Sequence, residues 1–247
     1  MEPEISIIIP CLNEEQNIQI LLEKINFVLI CYKLSAEILI IDDCSDDYTF
    51  REAFVLQKKY SNVRALHKGL PRGIGGSIRF GIKHATGRVG IVVMGDCVDP
   101  LHAIPDFRDK IINEKYNLVL LSRYLNPEDS TNIPFSYKFY HWSFRLLCRI
   151  LLGIKIRDIT YAFRAFDIDY IKGLDLESSG FEISPEITLK TFLHGGRITE
   201  LRGRQGRRLV GESKFFFSKE GFGYMYVLLR AFSVRLRSFL VRIKNIA

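Results

Sequence analysis

Two short apolar runs each end in a cluster of carboxylates, and that pairing limits the folds open to the chain. Ile38-Leu39-Ile40-Ile41 runs into Asp42, Asp43, Asp46 and Asp47, and residues 89–94 run into Asp96 and Asp99. A brief, unalternated run of Val, Ile and Leu is the pattern of a parallel strand buried on both faces. In open α/β sheets, ligands bind outside the carboxyl ends of such strands. Two acidic strand ends side by side would enclose a cavity suited to a nucleotide and a divalent cation with oxygen ligands.

The neighbouring segments support that architecture. Residues 5–10 are strand-like, and Asn13-Glu14-Glu15 opens a helix whose apolar face carries Ile18, Leu21, Leu22 and Ile25. Further strands are expected over 37–41, 63–67, 89–94 and 118–121, with helices over 48–60 and 73–84. Alternation of this kind predicts an α/β fold with a largely parallel sheet. Residues 133–156 then change in texture, mixing aromatics with arginine. Residues 160–166 and 198–201 look extended and 184–194 helical. From Gly221 the chain reads as one amphipathic helix with Tyr224, Val227, Leu228, Ala231, Val234 and Phe239 on its apolar face. The expected division is therefore an α/β domain over 1–220 and a basic amphipathic helix over 221–247.

Charge is unevenly placed. Net charge is +7, yet residues 201–247 hold 11 Lys and Arg against 2 Asp and Glu, so the rest of the chain is slightly acidic. A basic segment of this kind suits an anionic membrane, a phosphorylated substrate or nucleic acid. The acidic strand ends argue against nucleic acid. Five scattered cysteines form no CxxC pair, which supports neither a zinc site nor a disulfide framework and fits a reducing cytoplasm. The N-terminus opens acidic, without a basic leader, and no apolar run reaches the ~18 residues of a membrane span.

Seven short motifs occur in order: ISIIIPCLNEEQNI, IIDDCSDD, GIGGSIRFG, VVMGDCVDP, LLSRY, RDITYAFRAF and RRLVGESK. Together they resemble the family 2 glycosyltransferases, and within them the polyprenyl-phosphate glycosyltransferases that include the dolichyl-phosphate mannose synthases. The resemblance covers about residues 5–214. It implies a GT-A fold: a single Rossmann-like, mostly parallel sheet flanked by helices, here with the C-terminal helix added.

The resemblance also implies roles for particular residues. Pro10, Asn13 and Glu14 would turn at a strand end toward base and ribose. Asp42 and Asp43 would accept hydrogen bonds from them, while Asp46 and Asp47 equally suit loop capping. Arg72 and Gly76 belong to a glycine loop before a helix, a geometry that admits phosphate oxygens. The family's metal-binding DxD motif corresponds to Met94-Gly95-Asp96-Cys97-Val98-Asp99. Gly95 and Cys97 stand at its two acidic positions in an ungapped match, and a one-residue shift makes Asp96 the main ligand of Mg²⁺ or Mn²⁺, with Asp99 second. Arg123 and Lys138 would bind the acceptor's phosphate, with His141 or Trp142 at the position of a usual serine. Asp158 is a candidate general base, or else an ion-pair partner of Arg164; Glu186 is a comparable carboxylate. Tyr161-Ala162 replaces a usual Ser-Gly. Arg208 and Lys214 would close over the donor diphosphate, since Arg204, Arg207 and Arg208 repel unless an anion lies among them.

The expected activity is transfer of a sugar from a GDP- or UDP-linked donor to a polyprenyl phosphate, with inversion and a divalent metal. Two alternatives stay open: a sugar-hydroxyl acceptor in polysaccharide or glycolipid synthesis, and a degenerate member that binds nucleotide sugar. The expected partners are the donor, a lipid phosphate and the membrane surface, with the C-terminal helix lying on that surface or packing on the domain or a second subunit. A cytoplasmic, peripherally membrane-associated protein follows, with a homo-oligomer left open.

Overall fold

The computed structural model describes residues 2–206 and 217–244. In chain order the elements are β1 (Ile5–Cys11), α1 (Ile18–Cys31), β2 (Ala36–Asp42), α2 (Thr49–Lys59), β3 (Val63–His67), α3 (Ile74–His84), β4 (Val89–Val92), α4 (Ile104–Ile112), β5 (Leu118–Ser122), α5 (Phe135–Leu152), β6 (Arg164–Asp167), α6 (Ile168–Lys172), α7 (Ile183–Leu193), β7 (Ile198–Arg202) and α8 (Phe217–Lys244). The seven strands form one sheet in the order β3-β2-β1-β4-β6-β5-β7. All pairings are parallel except those of β6, which runs antiparallel between β4 and β5. β1 pairs with β2 so that Cys11 stands opposite Asp42, and with β4 so that Ile8 stands opposite Val92. The chain after each of these strands therefore leaves the sheet at one edge.

Strand residues alternate between two covered faces. Ile5, Ile7 and Ile9 of β1 with Ile38 and Ile40 of β2 pack under α1, α2 and α4. Ile8, Leu39 and Ile41 face α3, α6 and α7. Burying each such side chain contributes about 1.5–3 kcal/mol, which is why these runs read as continuously apolar. β6 lies against β4 only because Gly90 has no side chain: a Cβ there would come within 2.2 Å of the Phe166 ring.

Two elements depart from the sequence pattern. α1 starts at Ile18, not at Asn13, because Asn13 is left-handed at φ +53° and the Glu14 N–H donates to Thr49 Oγ1 at 2.8 Å. α8 begins at Phe217, before Gly221, and packs Tyr224, Val227, Leu228 and Ala231 against Phe144, Cys148 and Leu152 of α5 and Leu189 of α7. Val234, expected on its apolar face, is exposed. Among the described residues no helix is long and apolar enough to cross a membrane.

A buried carboxylate ties the far edge of the sheet. Glu37 on β2 accepts from Ser6 Oγ at 2.7 Å, from the Thr86 N–H at 2.6 Å and hydroxyl at 2.8 Å, and from Arg64 Nη1 at 2.9 Å. Burial works to raise this carboxyl, but the four donors outweigh it and hold it below the ordinary range. Glu37→Gln is expected to destabilise the protein by about 1–3 kcal/mol, since it leaves buried donors poorly matched. A folded carboxyl that titrates below its unfolded counterpart contributes stability above the ordinary carboxylate range and loses it as pH falls through the folded value. Denaturant titrations should show the gap between wild type and variant narrowing below about pH 4.

Candidate active site

The strand ends open on a cleft of about 940 Å³. Pro10, Glu14, Asp43, Arg72, Asp96 and Arg123 all stand on its wall. Backbone–side chain bonds between loops shape its rim. The Asn13 N–H donates to Ser45 Oγ at 3.0 Å, and Asn13 Oδ1 accepts from the Asp46 N–H at 2.8 Å. Asp47 accepts from the Glu15 N–H at 3.3 Å and the Thr49 N–H at 2.9 Å. Asn13 is thus a clasp between the β1 and β2 loops and does not line the cleft, unlike its neighbour Glu14.

The two aspartates at the end of β2 divide. Asp43 lies on the wall, accepts from the Gly73 N–H at 2.7 Å and has Lys68 Nζ 2.7 Å away. Asp42 is buried behind it, bonded to the Ser45 N–H at 3.2 Å and to His67 Nδ1 at 2.8 Å. Asp42 therefore reaches the cleft only through its neighbours, a correction to its expected contact with the nucleoside. Arg72 faces the cleft and pairs with Asp46.

The glycine loop also serves another partner than the one expected. Gly73 has φ +153°, and a Cβ there would lie 2.3 Å from the Ser179 carbonyl oxygen. The N–H groups of Gly75 and Gly76 donate to that same oxygen at 2.8 and 3.3 Å. These amides hold the 178–180 loop, and Gly76 is not on the cleft wall. Glu186 secures the loop from behind through the Glu177 and Ser178 N–H groups, so it too is structural.

Asp96 and Asp99 separate likewise. Asp96 is on the wall, with Oδ1 3.4 Å from the Val98 N–H. Asp99 points inward: its oxygens accept from the Met94 N–H at 2.7 Å and the Tyr161 hydroxyl at 2.6 Å. Burial, and then the charge of Asp96, push the Asp99 carboxyl up to about 7. Its expected place as second metal ligand does not match this geometry. Among the described residues no three His, Cys, Asp or Glu side chains gather as a metal site. Mg²⁺ and Mn²⁺ nonetheless need only one or two protein carboxylates when substrate phosphates complete the shell, and Asp96 fits a cation that arrives with its diphosphate.

At the other end of the cleft, Arg123 is held by Asp158. Nε lies 2.7 Å from Oδ2 and Nη2 3.1 Å from Oδ1, while Nη1 donates to Gln205 Oε1 at 3.0 Å. The guanidinium stacks 4.2 Å over the Tyr161 ring. Burial disfavours both charges, but their mutual attraction prevails, raising Arg123 and lowering Asp158. Asp158 is fully buried and off the wall, so it is the orienting partner of Arg123, not a base facing the cleft. Arg164 is not its hydrogen-bonded partner either: that guanidinium donates to the carbonyls of Ser184, Ile159 and Tyr161 and to Thr188 Oγ1. Lys138 lies on α5 but not on the wall, whereas His141 does line it. Arg208 and Lys214 lie outside the described residues.

Lys68 and Gln205 escaped the sequence reading. Lys68 directly follows β3 and pairs with the wall residue Asp43, and its place at a strand end was the available signal. Gln205 carries no local signal.

The family model for glycosyl transferase family 2 matches residues 6–174, and the chain belongs to that family and is a glycosyltransferase. It is 32% identical over 214 residues to a dolichol-phosphate mannosyltransferase of Pyrococcus furiosus, covering 85% of this chain and 59% of that protein. The chain thus spans less than two thirds of that relative. It is 29% identical over 212 residues to an undecaprenyl-phosphate mannosyltransferase of Micrococcus luteus, covering 84% of this chain and 85% of that one. Among solved structures, the glucosyl-3-phosphoglycerate synthase of Mycobacterium tuberculosis, in complex with Mn²⁺, UDP and phosphoglyceric acid, matches 93% of this chain and 78% of that one, with a TM-score of 0.69 and 18% identity. That likeness concerns the fold, which is GT-A.

His141 offers a direct check on the cleft. Its Nδ1 lies 2.6 Å from the Tyr124 hydroxyl, and burial with the Arg123 charge pushes the imidazole down to about 4. Burial pushes the Tyr124 hydroxyl up to about 12, so the phenol keeps its proton and the ring beside it is neutral at pH 7. An NMR titration of the His141 ring should give a midpoint near 4. Between roughly pH 6.5 and that midpoint the unfolded chain binds a proton that the folded one refuses, so this residue makes stability fall as pH falls. A midpoint at the free-imidazole value would contradict the buried, neutral ring.

Proposed function

We propose that the chain transfers a sugar from a GDP- or UDP-linked donor to the phosphate of a polyprenyl lipid, with inversion at the anomeric carbon. The observation that carries this is a single cleft with Asp43, Arg72 and Asp96 toward one part and Arg123 after β5. The names of two relatives, a dolichol-phosphate and an undecaprenyl-phosphate mannosyltransferase, support the lipid-phosphate acceptor.

An oxygen of the acceptor phosphate attacks the anomeric carbon from the face opposite the diphosphate, and the carbon–oxygen bond to the diphosphate breaks. A phosphate is already an anion and needs no general base. That agrees with Asp158 being locked against Arg123, and it disfavours a hydroxyl acceptor, for which Asp158 would have to leave its pair. Arg123 has five N–H donors; four bonds within the described residues go to Asp158, Gln205 and Thr160, leaving one on Nη1 for the acceptor. Asp43 and Arg72 bind the nucleoside end of the donor. Asp96 would hold Mg²⁺ or Mn²⁺, which when bound neutralises the departing diphosphate.

A lipid acceptor requires access to a membrane, and α5 presents a matching face. Phe135, Phe139, Trp142, Leu146 and Ile150 are exposed along one stripe, with Arg145 and Arg149 beside it. The outer side of α8 adds Tyr226, Leu229 and Leu236 with Arg230 and Arg237. Apolar residues flanked by cations suit the surface of an anionic bilayer, which supports a peripheral attachment of the enzyme to the membrane on its expected cytoplasmic side.

Radiolabelled GDP- and UDP-sugars, offered with polyprenyl phosphate in vesicles and with Mg²⁺ or Mn²⁺, should deliver label to the lipid phase. Asp96→Asn is expected to lower that rate by about 10²-fold or more. Label that stays aqueous with every donor would sink the proposal. Separately, the double variant Phe139→Ala, Trp142→Ala should lower co-sedimentation with anionic vesicles about tenfold, with melting temperature little changed.

A further inference from the structure

The ends of β2 and β3 carry a second constellation that sugar transfer does not use. The Asp42 side chain is 2% exposed and lies 2.8 Å from His67 Nδ1. A buried carboxylate accepts, so Nδ1 carries the ring proton and the Nε2 lone pair is free to accept. On that opposite edge Cys44 Sγ stands 4.0 Å from Nε2. The Ser45 N–H fixes Asp42 at 3.2 Å, and the Phe50 ring meets the imidazole edge-on at 5.5 Å. Thiol, imidazole and orienting carboxylate stand in the sequence of an activated nucleophile. Because the thiol and carboxylate occupy opposite edges of one ring, they do not converge on a cation.

Three further observations concern Cys44 itself. Its φ is +59°, a left-handed conformation uncommon for a residue with a side chain. Arg72, ion-paired with Asp46, interacts electrostatically with it. Both Cys44 and His67 are partly open to solvent, and Cys44 directly follows Asp43 on the cleft wall. Cys11 and Cys148 are buried. Cys97 shares the left-handed backbone, at φ +61°, and a similar partial exposure, but its thiol donates to the Asn17 carbonyl and not to an imidazole. Cys31 is exposed on α1, with no imidazole bonded to it among the described residues.

We propose that Cys44 is a reactive thiol, activated by His67 and Asp42, that undergoes thiol–disulfide exchange with small disulfides at the edge of the cleft. The Cys44 proton passes to His67 Nε2 as the sulfur attacks one sulfur of the disulfide. A new S–S bond forms to Cys44 and the old one breaks. The departing thiolate takes the proton from Nε2, so one protein thiol and one disulfide become a mixed disulfide and a free thiol. The group so attached would stand next to Asp43.

The test uses the reduced full-length chain, oxidised glutathione and peptide mass mapping over time. Cys44 should form its mixed disulfide at least about tenfold faster than Cys31, although Cys31 is the more exposed thiol. His67→Asn should slow Cys44 about tenfold and leave Cys31 unchanged, while Cys11 and Cys148, buried in the folded chain, stay unmodified and report that the fold is intact. Equal rates in the wild type, or a Cys44 rate indifferent to His67→Asn, overturns the proposal. The exchange needs no donor, acceptor or metal, so its failure would leave the transferase proposal standing.

Discussion

Pairing β1 in parallel with β2 on one side and β4 on the other sends three chains out of the sheet at the same edge. The cleft depends on that register. With Cys11 opposite Asp42, the loop after β1 meets the loop after β2, and Asn13, Glu14 and Glu15 can bond to Ser45, Asp46, Asp47 and Thr49. A one-residue slip would turn every strand side chain to the other face. It would drive the Ile7 and Ile9 set out of one core and Ile8 out of the other. Burial on both faces is what makes the register, and hence the loop contacts, unique.

Buried charge forms the second layer of organisation. Arg123 and Asp158 are both removed from water and compensate one another through two hydrogen bonds. Removing one partner of such a pair typically costs about 3–5 kcal/mol, because the other is left uncompensated. Arg164 is as deeply buried, but its partners are carbonyls and a hydroxyl, and burial brings it down to about 10, still charged at neutral pH. Its role is to bind the 159–161 turn to α7. The Tyr161 ring lies under the Arg123 guanidinium and its hydroxyl holds Asp99, so it connects the arginine end of the cleft to the acidic β4 end.

Much of this was legible in the chain. The runs before Asp42 and Asp96 marked β2 and β4 because strands covered on both faces cannot afford polar alternation, and the ordered motifs indicated family 2. Less legible was which carboxylate of each cluster faces the cleft. Asp42 and Asp43 are adjacent in sequence, yet one is buried against His67 and the other stands on the wall. Asp96 and Asp99 divide in the same way, because the chain turns after β4 and Tyr161, 62 residues on, claims Asp99. Gly73, Gly75 and Gly76 carried the pattern of a phosphate loop, and only the approach of Ser179 revealed their partner.

The sequence by itself determined the strand runs, the acidic strand ends, the aromatic–basic texture of α5 and α8, and the family. All of these are local patterns, set by burial and by the order of short motifs. Tertiary structure decided that β6 runs antiparallel between β4 and β5, that Asp158 joins Arg123 instead of Arg164, and that His67 meets Asp42 and Cys44. Each depends on groups brought together from distant parts of the chain, where hydrogen-bond geometry and desolvation select among partners that composition and spacing leave equivalent.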